Sequence, residues 1–178
     1  SGGGGVPFHA EFQIGAPDRT RLVSGMALSP DGEKLAFVAR GEDGRTALWI
    51  RTMAAREAKM LPGTTDARYP FWSPDGRKIG FFAQNRLKAT ELFGGQPRVL
   101  AETSSTLDTR GGAWGAGDVI LFAPSFVGPL LAVPARGGTV EPATRIAEGS
   151  GIGTQRFPCF LPDGKRFLLN PYGLHWSE

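Results

Sequence analysis

Three arginines precede three similar apolar segments of this chain, each with polar or aromatic neighbours. Guanidinium groups bind carboxylates and phosphates through paired N–H donors, so three at one place would form a receptor for an acidic group. The alternative is that they are solvated or pair with nearby aspartates. The candidate ligand-binding residues are these arginines and their neighbours, Asp66, Arg68, Tyr69, Asp108, Arg110, Gln155 and Arg156. Whether they meet depends on the elements that carry them.

Residues suited to other kinds of chemistry are sparse. The two histidines, His9 and His175, stand near opposite ends of the sequence and do not form a metal-ligand pattern. A Gly-x-Ser-x-Gly segment, the usual setting of a hydrolase nucleophile, does not occur. The single cysteine, Cys159, lies in an apolar segment, which predicts a buried, unreactive thiol. The sequence therefore predicts no catalytic, metal or cofactor site, and a protein that is not an enzyme.

A short turn motif organises the apolar segments. In 72–76, Pro74 presets the second turn position, Asp75 bonds the turn backbone, and Gly76 takes the left-handed conformation. Well-preserved copies occupy 28–39 and 160–169, and a degenerate copy occupies 113–123. Each copy predicts a β-hairpin. The recurring aspartates are thereby assigned to the turns rather than to a catalytic site.

The spacing of the motif predicts the architecture. Pro30 and Pro74 are 44 residues apart, Trp72 and Trp114 are 42 apart, and Trp114 and Phe160 are 46 apart. A period in the forties that holds four short strands is typical of a propeller blade. We expect an all-β fold, a β-propeller of four-stranded antiparallel blades with about four repeats visible. The aromatic residues at these positions are expected to pack between adjacent blades.

The repeats also set the predicted domain boundaries. Residues 1–7 are glycine-rich and read as a linker or a vector-derived scar, whereas residues 8–178 form the propeller region. The blades are expected at about 22–63, 68–102, 110–147 and 155–178, with the strand 8–14 completing the last one. Three alternatives remain open: a compact four-bladed ring, half of a ring that two copies complete as a homo-oligomer, or part of a longer propeller.

Composition narrows the range of partners. The net charge is +3, and basic and acidic residues are interspersed, so no stripe suited to nucleic acid is present. No apolar run reaches the roughly 18 residues of a membrane-spanning helix. The expected partner is a protein, a peptide or a small-molecule ligand, with no nucleic acid and no membrane span.

The Trp-Ser-Pro-Asp-Gly motif, followed by an apolar strand and a later Gly94-Gly95 turn, resembles the repeat of TolB-type, WD-like β-propellers. The resemblance covers about residues 22–172. Such repeats occur in periplasmic TolB, in extracytoplasmic sensor regions of bacterial serine/threonine kinases, and in propellers of prolyl-oligopeptidase-type hydrolases. The last repeat is most similar to the kinase-associated sensor propellers. The resemblance implies a bacterial protein outside the cytoplasm, in the periplasm or at the cell surface, with the cytoplasm as the alternative.

Two functions are consistent with these observations. The first is a non-catalytic binding or sensor module that takes a protein, peptide or small ligand at the mouth of the propeller channel. There the loops that enter the inner strands would gather Arg68, Arg110 and Arg156. The alternative is the substrate-gating propeller of a prolyl-oligopeptidase-type hydrolase whose catalytic domain lies outside this chain. A propeller with its own lyase or glycosidase site would need clustered carboxylates or histidines, and the sequence supplies only the arginines.

Overall fold

Repeated apolar runs separated by turn residues form the strands of this chain. The computed structural model describes residues 15–55, 57–92 and 95–173, and within those ranges the regular secondary structure consists of strands. The first sheet contains β1 (Thr20–Leu28), β2 (Lys34–Gly41), β3 (Thr46–Thr52) and β4 (Ala58–Met60). Its strands are antiparallel neighbours in chain order.

Three further sheets follow the same plan. The second contains β5 (Arg68–Trp72), β6 (Lys78–Ala83), β7 (Arg86–Glu91) and β8 (Arg98–Glu102). The third contains β9 (Gly112–Trp114), β10 (Val119–Phe122), β11 (Leu131–Pro134) and β12 (Glu141–Pro142). The fourth shows two strands in the described part of the chain, β13 (Ile152–Phe160) and β14 (Phe167–Gly173). The predicted all-β fold with four-stranded antiparallel blades is confirmed.

Two strand predictions were wrong. The sequence segment 143–147 predicts the outer strand of the third blade, but β12 is only the dipeptide Glu141–Pro142, because Pro142 has no N–H to extend the ladder. The sequence Pro171-Tyr172-Gly173 predicts a turn, but these residues belong to β14. The inner strand β13 begins as early as Ile152, so its partner extends to match, with Pro171 opposite Gln155.

The hairpin turns follow the predicted chemistry. In the second blade the Ser73 hydroxyl donates to Asp75 Oδ1 at 2.6 Å, and the Arg77 N–H donates to the same oxygen at 3.1 Å. Gly76 has a φ of 67°. The same carboxylate-to-backbone bonds form at Asp31 and Asp163. The recurring aspartates are therefore structural groups of the turns.

These hydrogen bonds also shift the acidity of the aspartates. Donation from the Ser29 hydroxyl and then from the Glu33 N–H lowers the pKa of Asp31 to about 2. The Ser73 hydroxyl is the first cause of the lowered pKa of Asp75. For Asp163 the backbone N–H and then the side chain of Arg166 lower the pKa. In each turn the bonded donors stabilise the ionised carboxylate.

Adjacent blades are held together by apolar seams. Between the first and second blades the Trp72 indole N–H donates to Ala27 O at 2.9 Å, alongside a buried cluster that includes Val38, Leu48 and Phe81. Trp114 belongs to the corresponding cluster between the second and third blades. In the fourth blade the Phe160 ring packs directly over Gly115 of the third. The prediction that these aromatic residues pack between blades is confirmed.

The four sheets form an arc. Among the described residues, the strands of the fourth blade contact the third blade and not the first. Large apolar side chains are exposed on the two end blades, Met26 and Leu28 at one end and Leu168 and Tyr172 at the other. The strand 8–14, predicted to complete the last blade, lies outside the described residues, so that closure stays a prediction.

Candidate functional site

A kink recurs at one position of every inner strand. Five residues before the second turn position, each blade has a residue with positive φ. In β1, β5 and β13 it coincides with a register shift of the ladder, as in a β-bulge. The four residues and their φ angles are Gly25 (107°), Tyr69 (47°), Gly111 (84°) and Phe157 (48°). The residue just before the kink is Arg68, Arg110 or Arg156 in the last three blades, so the fold gives the three candidate arginines equivalent backbone positions.

The kinks themselves pack against one another. The rings of Tyr69 and Phe157 meet edge to face with their centroids 6.0 Å apart. Gly111 lies against this pair, because a Cβ built on it would stand 2.9 Å from the Phe157 ring. The Phe157 N–H also donates to Arg110 O at 2.9 Å. The inner strands of the second, third and fourth blades are therefore joined at the kinks.

Two of the three arginines have partners inside the chain. Arg110 Nη1 donates to Leu107 O at 2.9 Å and to Thr109 O at 2.8 Å. Arg156 Nη2 donates to Phe126 O at 3.1 Å, and its guanidinium carbon stands 4.6 Å from the centre of the Tyr172 ring. Carbonyl and aromatic partners hold each guanidinium in place but leave its charge unneutralised.

The remaining polar candidates differ in their surroundings. Gln155 is 8% exposed, its amide oxygen accepts a hydrogen bond from the Thr144 hydroxyl, and its nitrogen donates to Arg145 O at 3.4 Å. Its buried side chain is thus bonded to the segment that follows β12. Asp108 is half-buried in the loop before β9, and its N–H donates to Ser105 O.

A cleft of about 290 Å³ opens where the first and second blades meet, and Arg68 is the one candidate arginine that lines it. We call it the mouth cleft. Arg68 and the exposed Asp66 share it, so these two candidates are brought together. Its principal polar lining comes from both blades, namely Arg40, Thr46, Asp66, Arg68, Gln84 and Asn85.

Arg40 was not predicted from the sequence. It ends β2 of the first blade, and its Nε is buried with no hydrogen-bond partner in the described structure. Gln84 and Asn85 were also missed, although a Gln-Asn pair between two apolar runs is a recognisable two-residue hairpin turn. Neither Arg40 nor the Gln84-Asn85 turn directly precedes an inner strand, which is the position that identified the three arginines.

Within residues 15–55, 57–92 and 95–173, Arg68, Arg110 and Arg156 form no ion pair with a carboxylate. The ion pairs in the described part of the chain are Lys34 with Asp31 and Glu33, Arg86 with Glu102, and Arg166 with Asp163. Pairing of the candidate arginines with Asp66 or Asp108 is not among them. The charge of these three guanidinium groups is therefore not compensated by an ion pair within the described residues.

Three further observations concern other kinds of site. Cys159 is exposed, so the expectation of a buried thiol was wrong, because its position in β13 faces away from the third blade. In residues 15–55, 57–92 and 95–173, no three His, Cys, Asp or Glu side chains group as metal ligands would. Nor does that part of the chain contain a helix of the length and hydropathy needed to cross a membrane.

Comparison with known proteins identifies the fold. No protein-family model matches the chain. The putative TolB of Agrobacterium tumefaciens superposes with a TM-score of 0.69 and 20% identity, covering 85% of this chain and 55% of that one. TolB of Acinetobacter baumannii gives 0.63 and 19%, covering 82% and 37%. The chain has the fold of a TolB-type β-propeller.

Two more similarities bear on its scope. The propeller domain of the trilobed protease from Pyrococcus furiosus superposes with a TM-score of 0.52 and 18% identity, over 71% of this chain and 44% of that one. The uncharacterized protein YidR of Escherichia coli (strain K12) is 26% identical over 98 residues, which is 54% of this chain and 22% of YidR. The chain spans about half or less of the length of these proteins. Because TolB proteins and a protease propeller share the fold, the fold alone does not choose between binding and catalysis.

Proposed function

We propose that this chain is a non-catalytic β-propeller module that binds a protein, peptide or small-molecule ligand at the channel mouth. The observation that carries the proposal is the repeated placement of Arg68, Arg110 and Arg156 before the inner-strand kinks. Arg68 and Arg156 belong to β5 and β13, and Arg110 lies just before β9, so the sheets hold all three backbone positions. Guanidinium groups without a carboxylate partner favour an acidic ligand.

The proposed location is outside the cytoplasm, in the periplasm or at the cell surface. The support is the likeness of the repeats to those of TolB-type propellers and of kinase sensor regions. A fractionation experiment tests it. The natural gene product should be released with the periplasmic or surface fraction, and recovery with cytoplasmic marker proteins would contradict the location.

The binding role is tested by replacing the three arginines together. Short capped peptides of varied charge are titrated into the ¹⁵N-labelled chain, and the amide shifts locate each binder. The R68A/R110A/R156A variant should weaken the binding of acidic peptides about tenfold or more, since each lost charged hydrogen bond is worth over about 1 kcal/mol. Its Tm should change little, because the guanidinium groups lie outside the apolar seams.

A matched control uses arginines in turns at the opposite ends of the strands. The R77A/R136A variant removes two exposed guanidinium groups beside the turns that lead away from the mouth. It should bind the same peptides as tightly as the unaltered chain. Equal binding by the R68A/R110A/R156A variant would show that the mouth is not the binding site.

The second candidate is the gating propeller of a hydrolase. The likeness to the trilobed protease propeller supports it at the level of fold. It requires a catalytic domain, so the natural gene product should be much heavier than 19.0 kDa and contain a Gly-x-Ser-x-Gly segment beyond this chain. A membrane span with a kinase domain in that product would instead favour the sensor role.

A further inference from the structure

The unsatisfied polar groups of the mouth cleft are nearly all hydrogen-bond donors. Arg40 contributes a buried Nε without a partner, and Arg68 contributes a second guanidinium. Guanidinium groups donate and never accept. The Thr46 hydroxyl already donates to Ala67 O at 3.2 Å. Asp66 supplies the one carboxylate among the lining residues, and it is exposed.

A buried lysine fixes the orientation of the Gln84 side-chain amide, one of the two amides that line the cleft. Lys88 is 9% exposed, and its Nζ donates to Gln84 Oε1 at 2.7 Å. An ammonium group can only donate, so the amide oxygen must face it and the amide NH₂ is turned away. Lys88 lies opposite Phe81 in the ladder, in the seam between the first two blades. The ion pairs of the described chain do not include it, so a buried positive charge lies behind the cleft without a carboxylate.

The Asn85 side-chain amide is oriented in the same way, with its oxygen accepting a hydrogen bond. The Thr106 N–H donates to Asn85 Oδ1 at 3.0 Å, and the Asn85 carbonyl accepts from the Thr103 N–H at 2.8 Å. The Asn85 side-chain NH₂ is therefore also left as a donor. Gln84 and Asn85 have φ angles of 54° and 58°, a conformation that glutamine adopts rarely. The hydrogen bonds from Lys88 and Thr106 hold this strained turn in place, and both side-chain amide nitrogens remain available as hydrogen-bond donors.

We propose that the mouth cleft binds a carboxylate group through Arg40 and Arg68, with the two side-chain amides of the β6–β7 turn as neutral donors. The lining guanidinium groups and Asp66 sum to one positive charge, which a singly charged carboxylate neutralises. The volume of about 290 Å³ suits an acidic side chain or a small carboxylic acid. This inference rests on the proposed binding function and names the chemistry of the ligand.

The test measures binding of defined probes by NMR titration. Acetylated and amidated Ala-Glu-Ala represents a peptide source of the carboxylate, and propionate represents a free small molecule. Ala-Gln-Ala with the same caps and propionamide are the neutral controls, and inorganic phosphate is the competing oxyanion. We expect at least one carboxylate probe to bind with a Kd of about 1 mM or tighter and to shift the amides of residues 84 and 85. The neutral controls should bind at least tenfold more weakly.

Two isosteric variants separate binding from folding. Gln84→Glu places a carboxylate beside Lys88, so Tm should rise by about 2–4 °C while the carboxylate affinity falls about tenfold or more. Asn85→Asp keeps the acceptor for the Thr106 N–H but replaces the free NH₂ with an anionic oxygen, and it should weaken binding similarly. Arg136→Gln, at an exposed position in the turn between β11 and β12, should leave binding unchanged.

The outcomes distinguish this inference from the broader one. If a carboxylate binds and Arg40→Gln weakens it about tenfold, the cleft is the site and the probe that binds tighter identifies the source. If acidic peptides bind and depend on Arg110 and Arg156, but Arg40→Gln and Gln84→Glu bind them normally, the mouth function stands and the cleft assignment is overturned. Binding of phosphate alone, or of no probe, overturns the carboxylate assignment.

Discussion

At the scale of single residues, the turn aspartates combine a fixed geometry with an unusual acidity. Asp31 accepts from the Ser29 hydroxyl, from the Glu33 N–H at 2.9 Å and from Lys34 Nζ at 3.2 Å. These bonds lower its pKa to about 2, below the ordinary value near 3.8. A depressed folded-state pKa means that the carboxylate stabilises the fold above the ordinary value and loses that contribution as pH falls.

Asp31→Asn should therefore lower Tm at pH 7, and the difference from the unaltered chain should shrink between about pH 4 and pH 2. Below the folded-state pKa of about 2 both side chains are neutral, so the two proteins should melt at similar temperatures. Circular dichroism melts from pH 7 to pH 2 make the measurement. A constant difference across this range would mean that the charge of Asp31 does not contribute to stability.

Gly76 offers a test of the turn backbone. Its φ of 67° is unfavourable for a side chain, although a Cβ there would have ordinary space, 3.7 Å from Pro30. Gly76→Val should therefore lower the free energy of unfolding by about 2 kcal/mol through backbone strain alone. Gly117 is the matched control, because it has open space and no positive φ. Urea unfolding of Gly117→Val should give a change within about 0.5 kcal/mol.

At the scale of strands and blades, the seams depend on small residues facing large ones. Phe71 of β5 is 7% exposed and lies between two glycines. A Cβ on Gly80 of the neighbouring strand would stand 2.3 Å from its ring, and one on Gly112 of the third blade would stand 2.7 Å from it. The seam between the second and third blades therefore has no room for a methyl group at either glycine.

Gly80→Ala should lower the free energy of unfolding by about 2–3 kcal/mol, because overpacking a closed seam forces the ring or the strand to move. Phe71→Leu alone should also destabilise, since it leaves part of the space empty. The double variant should recover at least about 1 kcal/mol relative to the sum of the single effects. Additive effects in urea unfolding would show that the two positions do not share one packing constraint.

Local turn chemistry and seam packing were the predictable parts of these elements. The Ser-Pro-Asp-Gly spacing located the hairpins, and the recurring tryptophans located the seams, because both depend on residues close in sequence or on a strict repeat. The kinks at Tyr69 and Phe157 were not predictable, since aromatic residues seldom adopt positive φ. The end of the third blade was misplaced because a two-residue edge strand has no period to detect.

At the scale of the whole molecule, the sequence predicts that an N-terminal strand covers one end of the arc. The predicted strand 8–14 would complete the last blade and shield its apolar surface. Deletion of residues 1–14 should then raise hydrogen exchange at the amides of the fourth blade and lower Tm. The second blade, which lies away from both ends, serves as the internal control and should exchange as before. Unchanged protection in the fourth blade would rule out this closure.

Only part of the site was predictable from the sequence, because the packing of whole blades brings its residues together. Arg68 and Asp66 were identified because they precede an inner strand in a repeat. Arg40 comes from the second strand of a different blade, and Lys88 lies inside the seam. The mouth cleft is assembled where two blades meet, so its residues share no motif and no interval in the sequence.

The inner-strand kinks limit the number of blades that a closed ring of this kind could contain. Glycine occupies the kink in the first and third blades and an aromatic residue occupies it in the second and fourth. Gly25 and Gly111 are 86 residues apart, and Tyr69 and Phe157 are 88 apart, so the repeating unit by this measure is a pair of blades. Tyr69 lies against Gly25 and Phe157 lies against Gly111, so each aromatic kink packs on the glycine kink of the preceding blade. A closed ring that keeps this alternation throughout has an even number of blades, because an odd number would place two glycine kinks or two aromatic kinks side by side.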